Sequence, residues 1–241
     1  MVFSALPPTV SFAGLSDRGR RRAHNEDAWL VVPSQPCAVV ADGMGGLAAG
    51  EEASRLVVES VVQAVEAGQS AQQGLVTAHR RIHDASTAAG QGRMGSTAVV
   101  LDILGGNATI FWVGDSRCYL WRDDTLKLLT RDHSRVNDLI EAGVILPEQA
   151  ETHPHRHVLT RALGVHDSDQ VEIDRVVLDL RPRDRLLLCS DGLHGYLAQA
   201  AIIDCLRRNT DAEHIANQLL RNTLDHTEAG DNITVVCASI E

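Results

Sequence analysis

Cys37-Ala38-Val39-Val40-Ala41-Asp42-Gly43-Met44-Gly45-Gly46 reads as a short apolar strand that runs straight into an Asp-Gly pair. The pattern returns in Leu186-Leu187-Leu188-Cys189-Ser190-Asp191-Gly192-Leu193-His194-Gly195. In both, a buried strand delivers an aspartate rigidly to the rim of a sheet, where its carboxylate emerges. The glycine that follows lets the backbone turn sharply and its carbonyl approach an ion. A third strand end, Ile110-Phe111-Trp112-Val113, delivers Gly114-Asp115-Ser116-Arg117. Gly230-Asp231-Asn232 precedes the final strand, and Glu26-Asp27 stands before an early one. Any one of these acids alone reads as a turn former or strand-edge cap. As a set they read differently, because carboxylates converging in a partly dry site repel one another and persist only with bound cations.

Working outward, Val10–Leu15, Ala28–Val32 and Cys37–Ala41 read as strands, broken by Pro33 and Pro36. Glu51–Ala67 carries Val57, Val61 and Val65 at helical spacing, and Ala71–Ala88 forms a second helix. Thr97–Leu104 turns at Gly105-Gly106-Asn107 and returns through Ala108–Val113, a hairpin signature. Tyr119–Trp121, Leu126–Leu129, Val171–Leu178, Arg185–Ser190 and Ile233–Ile240 add strands. Ala198–Arg208 and Asp211–Asp225 add helices, with Asp211 as N-cap of the second. Strands and helices arrive in runs without regular alternation, which favours an α+β fold of antiparallel sheets covered by helices. No linker divides the chain, so residues 1–241 read as one domain. Its stretch 132–165, polar, His-rich and helical around Val136–Ala142, reads as a flap outside the core.

Charge narrows the partners. Lys plus Arg total 22 and Asp plus Glu total 32, a net charge of −10. Such a chain gains nothing from phosphate-backbone electrostatics, and with aromatics at 3% it lacks stacking platforms for bases, so nucleic acid is not an expected partner. Cys37, Cys118, Cys189, Cys205 and Cys237 are odd in number and show no paired spacing. They read as free thiols of a reducing compartment, the cytoplasm. No apolar stretch is long enough to span a bilayer and no secretory signal opens the chain, so no membrane association is expected.

An oxygen-only ligand set of this kind suits Mg2+ or Mn2+. Calcium would want a contiguous acidic loop ending in Glu, and zinc would want His or Cys. His153, His155 and His157 alternate, but Pro154 interrupts them, and a surface role is the favoured reading. Arg22, four residues before Glu26, offers the guanidinium that a pair of phosphoryl oxygens needs for bidentate binding. No cysteine has an Arg six positions on, as a cysteine phosphatase requires, and no Gly-Lys-Ser/Thr loop marks a nucleotide site.

Taken in order, Arg22 to Asp27, Asp42 to Gly46, Gly95-Ser96-Thr97, Val113 to Arg117, Ser190 to Gly192 and Gly230 to Thr234 resemble the metal-dependent protein phosphatases of type 2C. The match spans nearly the whole chain. Asp42-Gly43-Met44-Gly45-Gly46 and Thr160-Arg161-Ala162-Leu163-Gly164 resemble the bacterial branch in particular. The resemblance implies a central antiparallel β-sandwich flanked by helices on both sides, a four-layer αββα arrangement with metals at one end between the sheets. It implies that Asp42 bridges two Mn2+ or Mg2+ ions, one of them also bound by the Gly43 carbonyl, while Asp191 and Asp231 bind the second. Glu26 and Asp27 would act through metal-bound waters, Asp115 with Asp191 would hold a third, weaker ion, and Arg22 would grip the phosphate. The implied reaction is hydrolysis of phosphoserine and phosphothreonine on proteins by a metal-activated water, with Arg22, Asp42 and Asp191 central to catalysis. A bacterial Ser/Thr kinase or its substrates would be the partner and a monomer the default state. Where animal members carry a His two residues after the bridging Asp, this chain has Met44, which leaves Asp115, His133 and His194 to be weighed as routes for the leaving-group proton. The competing reading is a metal-binding module of the same fold that has lost catalysis.

Overall fold

Strands covered on both faces are near-continuous apolar runs, and the central strands here are of that kind. All eight residues of the last strand, Ile233–Ile240, are buried, and so are Cys37–Ala41 and Leu186–Cys189. The computed structural model describes residues 9–32, 34–45, 48–89, 94–150, 152–165, 171–208, 211–225 and 228–241; Pro33, Gly46 and the first eight residues of the 1–241 span lie outside the described residues. In chain order the elements begin with β1 (Val10–Asp17), β2 (Asp27–Val31), β3 (Cys37–Met44), α1 (Ala48–Glu66) and α2 (Ala71–Ala89). Then come β4 (Gly95–Ser96), β5 (Ala98–Leu104), β6 (Asn107–Val113), β7 (Arg117–Arg122), β8 (Thr125–Leu128) and α3 (Arg135–Glu141). The order closes with β9 (Asp174–Asp179), β10 (Arg185–Cys189), α4 (Asp191–His194), α5 (Gln199–Arg208), α6 (Ala212–Asp225) and β11 (Ile233–Ile240).

One sheet has the order β1-β11-β10-β7-β8, and the other β2-β3-β5-β6-β9 with β4 beside β3. Neighbouring strands in both pair antiparallel. In the central strands β3, β5, β10 and β11 the period-two alternation is spent between two apolar cores, whereas the edge strand β9 alternates between core and solvent. Ala38, Val40, Leu101 and Trp112 meet Leu120, Leu186, Leu188 and Val236 between the sheets. Their neighbours Val39, Ala41 and Val100 turn outward onto Val57, Val61, Leu75 and Ile82 of α1 and α2. On the far side Leu187, Cys189, Val235 and Cys237 pack on Ile202, Leu206, Ile215 and Leu219 of α5 and α6. The result is the four-layer αββα sandwich. Each fully buried leucine in it contributes roughly 1.5–3 kcal/mol.

The β5–β6 hairpin closes through Gly105 and Gly106, both at positive φ, as a two-residue turn of matching twist requires. His214 N donates to Asp211 Oδ1 at 3.0 Å, the cap contact expected of Asp211. Three expectations need correction. Strand β3 runs on through Asp42 to Met44 instead of stopping at Ala41. The strand expected from Val171 begins at Asp174. The second Asp-Gly opens a one-turn helix, α4, not a bare turn.

Stretch 132–165 is tied down at both ends. Trp112 Nε1 donates to the Arg131 carbonyl at 2.8 Å and His133 N to the Gly114 carbonyl at 2.9 Å. At the other end Leu163 N donates to the Ser96 carbonyl at 2.8 Å and Gly164 N to His79 Nδ1 at 3.0 Å. Between them α3 is capped by Ser134, while Val144 and Leu146 stand in solvent.

Candidate metal centre and active site

Antiparallel pairing explains why acids so far apart in sequence meet. The start of β2, the end of β3, the end of β6, the end of β10 and the start of β11 all fall at one end of the sandwich. Asp27 and Asp42 are direct cross-strand partners on β2 and β3. Arg22, Glu26, Asp42, Gly43, Met44, Asp115, Asp191 and Asp231 line a single cleft of about 690 Å³ at that end. Asp27 lies beneath its floor, where Ser190 Oγ donates to its Oδ2 at 2.7 Å.

The glycines of the two Asp-Gly pairs have a different reason from sharp turning. Neither is at positive φ. A Cβ on Gly43 would sit 1.9 Å from the Gly50 carbonyl oxygen, and one on Gly192 1.8 Å from the Asn232 carbonyl oxygen. Close backbone approach excludes any side chain there.

The electrostatics are those of negative charge packed in a dry place. Burial, with the charges of Asp27, Asp191, Asp115 and Asp231 around it, drives the Asp42 carboxyl well above its usual range. Burial likewise pushes Asp27 up to about 7, Asp115 up to about 8 and Asp191 up to about 6. Glu26 is raised by burial as well. Glu26 Oε1, Asp27 Oδ1 and Asp191 Oδ1 are buried without a hydrogen-bond partner among the described residues. Like charges placed directly opposite in a sheet, with lone pairs left over, are costly unless a cation takes them up. Among the described residues no three of these side chains close on one point at ligand distance; they line a shared cleft instead. The orphaned oxygens and the all-oxygen donor set fit hard divalent cations.

Neighbouring groups fix the acids in place. Asp42 N donates to Thr97 Oγ1 at 3.0 Å, and its carbonyl accepts from Thr97 N at 2.8 Å and Ser96 Oγ at 3.0 Å. Arg22 Nη2 donates to Asp231 Oδ2 at 2.8 Å, a bond that raises the guanidinium pKa while the rest of the side chain stays half exposed.

Against known proteins, the family model described as protein phosphatase 2C matches residues 16–229. The chain belongs to the protein phosphatase 2C family. A serine/threonine phosphatase stp from Listeria welshimeri is 36% identical over 236 residues, covering 92% of each chain. The crystal structure of the serine/threonine phosphatase Stp1 from Staphylococcus aureus superposes with a TM-score of 0.89 at 32% identity, covering 98% of this chain and 97% of that one. The catalytic domain of the phosphatase PstP, in complex with two manganese ions, does so with a TM-score of 0.85 at 31% identity, covering 96% of this chain and 98% of that one. The chain is thus a protein serine/threonine phosphatase of the bacterial type.

Several side chains of this type 2C phosphatase domain had no local sequence signal as site residues. Asn232 Oδ1 accepts from Glu26 N at 2.8 Å while its Nδ2 reaches the carbonyls of Arg18 and His24, at 3.0 and 2.9 Å. Tyr196 and the flap residues His157 and Leu159 line the cleft. His157 is exposed, as expected of it, and the flap also brings it to the cleft wall. Of the two histidines weighed as proton donors, His133 is buried and His194 partly buried, and both are absent from the lining. The His133 ring accepts from Gly114 N at 3.1 Å. His194 Nε2 lies 3.1 Å from the Asp115 carbonyl, and burial lowers its pKa to about 4.

Proposed function

We propose that this phosphatase hydrolyses phosphoserine and phosphothreonine on proteins at a centre of two Mn2+ or Mg2+ ions. Asp42, the Gly43 carbonyl, Asp191 and Asp231 would hold the pair, Glu26 and Asp27 would act through water, and Asp115 with Asp191 would hold a third, weaker ion. The observation that carries this reading is the buried cluster of mutually raised carboxyls with unpartnered oxygens, facing one cleft together with Arg22. When bound, the cations supply an acidified water and positive charge for the phosphoryl oxygens.

The chain's own residues do the rest. One nitrogen of Arg22 is committed to Asp231 and the half-exposed remainder of the guanidinium is free to take two phosphoryl oxygens, so the phosphate is oriented before reaction. Thr97 and Ser96 hold the Asp42 backbone, and Ser190 holds the Asp27 carboxylate. Met44 lines the cleft where animal relatives place an imidazole, so the leaving oxygen finds no proton donor at that position.

The domain reading belongs to the same proposal: one catalytic domain over 1–241, with its flap at about 132–165 beside the cleft. Phosphoserine and phosphothreonine on proteins are made by protein kinases, so a Ser/Thr kinase or its products are the proposed partners, and a monomer the proposed state. Among the described residues no helix is long and apolar enough to cross a membrane. Cys37, Cys118, Cys189 and Cys237 are buried free thiols, which supports a reducing, cytoplasmic setting.

The test is hydrolysis of p-nitrophenyl phosphate and of a phosphothreonine peptide with Mn2+, with Mg2+ and with EDTA, beside Asp191→Ala. Turnover that needs metal and is abolished by the substitution is expected. Absent turnover from protein shown to bind Mn2+ would favour the binding-module reading and make Met44 the first suspect.

A further inference from the structure

The loop between β1 and β2 carries Arg18, Arg20 and Arg21 in addition to Arg22, all exposed, in a chain of net charge −10. Arg22 pairs with Asp231, whereas Arg18, Arg20 and Arg21 form no ion pair with any described residue. Runs of exposed arginine are usually just solvated, but this loop is pinned to the rim of the catalytic cleft. Gly19, at φ +72°, passes so close to the Asp231 carbonyl that a Cβ would lie 1.9 Å from its oxygen. Arg20 N donates to the Ala229 carbonyl at 2.8 Å, and Asn232 Nδ2 binds the carbonyls of Arg18 and His24. Arg20 Nε is itself committed to the Leu224 carbonyl at the end of α6. Arg21 lies along the Tyr196–Gly230 wall: a Cβ on Gly230 would meet Tyr196 Oη at 3.0 Å and Arg21 Cδ at 3.3 Å. Tyr196 and Gly230 both line the cleft.

We propose that Arg21 reads a second anionic group on the phosphoprotein, a carboxylate or another phosphate next to the phosphoresidue held by Arg22. This deepens the phosphatase reading and rests on it. A guanidinium on a loop already fixed by backbone bonds loses little conformational freedom when it binds, and unpaired it has no internal anion to surrender. The cleft is otherwise lined with acids, so without this rim an acidic segment would be repelled on approach; with it, the field on one wall reverses sign.

The test uses the full chain with Mn2+ and phosphothreonine peptides whose flanking residues, on either side, are Glu, Ala or Lys, plus a doubly phosphorylated peptide. Wild type and Arg21→Glu are compared, with p-nitrophenyl phosphate as control. At low salt the wild type is expected to favour acidic over basic flanks in kcat/KM by about 3–10-fold, shrinking as salt is raised. Arg21→Glu is expected to abolish or invert that preference and leave p-nitrophenyl phosphate turnover within about two-fold, since that substrate carries no second anion. A gain with the doubly phosphorylated peptide alone would assign the rim to phosphate, and a gain with Glu flanks to carboxylate as well. Equal rates on all flanks in the wild type, or a preference untouched in Arg21→Glu, would overturn the proposal. So would loss of p-nitrophenyl phosphate turnover in the variant, which would place Arg21 in the phosphate grip itself. A wild type that turns over no substrate would sink the phosphatase reading, a separate outcome.

Discussion

Asp27 and Asp42 face each other across β2 and β3, a pairing of like charges that sheets avoid, and Asp191 and Asp231 add to the same crowd. Replacing Asp42 by the isosteric Asn removes one charge without a change of shape. In EDTA this variant is expected to melt higher than the wild type, by about 2–4 °C for each kcal/mol of repulsion relieved. Turnover should fall on the order of 10²–10³-fold or more if, as proposed, the centre is built on the group lost. Thermal melts with and without Mn2+ separate the two effects. A metal-free variant less stable than the wild type would mean that Asp42 is held by satisfied hydrogen bonds and not by a cation's absent charge. Asp115 differs from Asp42 in lying between β6 and β7, its carboxyl pushed up by burial and then by Asp191 and Asp132. If it serves a weaker third ion that helps the leaving oxygen, Asp115→Ala should slow turnover by about 10-fold or more while Mn2+ titration of the core pair is unchanged. Unchanged turnover would remove Asp115 from the chemistry, and weakened binding at the pair would move it into the core set.

At the scale of elements, the two Asp-Gly pairs show why one repeated motif can serve two different local structures. Gly43 continues strand β3, and Gly192 enters the one-turn helix α4, yet both are required because a neighbouring carbonyl occupies the place of a Cβ. Gly43→Ala must therefore push β3 from the Gly50 backbone and shift Asp42, costing about 1–3 kcal/mol by overpacking and most of the activity. Denaturant melts and Mn2+-dependent rates on one preparation check this; wild-type values of both would show that the backbone yields freely there. The strands, the long helices and the hairpin at Gly105-Gly106 were legible in sequence because apolar runs, helical spacing and turn residues each point to one structure. Helix α4 was not, since Asp191-Gly192-Leu193-His194 is too short to display a period. The acids were legible as strand-end residues, and their convergence followed from antiparallel order. Tyr196 carried no local signal, and Asn232 and His157 appeared only inside a motif and a histidine triplet without a role of their own: such a side chain gains one only when a distant loop is folded against it. Arg21 was hidden differently, inside a run of arginines whose members only the pinned loop distinguishes.

For the whole molecule, the metal-free protein should carry the repulsion of its active site as a dependence of stability on pH. Burial places Asp191 at about 6, Asp27 at about 7 and Asp115 at about 8, all above the ordinary aspartate value of 3.8. In that range the folded state binds more protons than the unfolded state, so stability falls as pH rises, from near 4 until the highest folded value is passed. Two histidines, His133 buried and His194 partly buried, act with the opposite sign. Burial lowers His194 to about 4 and also lowers His133, both from an ordinary 6.5. Their folded forms hold fewer protons than the unfolded chain, so they add stability as pH rises toward 6.5 and nothing beyond it. The two effects oppose each other below about 6.5; above it the carboxyls dominate, joined at the upper end by the buried thiols, whose raised pKa values give a slope of the same sign. The melting temperature in EDTA is therefore expected to fall between pH 6.5 and 8.5. Saturating Mn2+ should remove most of that slope, because cations take up the charge that deprotonation creates, so the stabilisation by metal should be larger at pH 8 than at 6.5. Melts at four pH values with EDTA and with Mn2+ decide it. A flat or rising EDTA curve above 6.5 would show that the cluster is already relieved by solvent in the metal-free state. A falling curve that metal leaves unchanged would place the titrating groups somewhere other than the centre proposed for them.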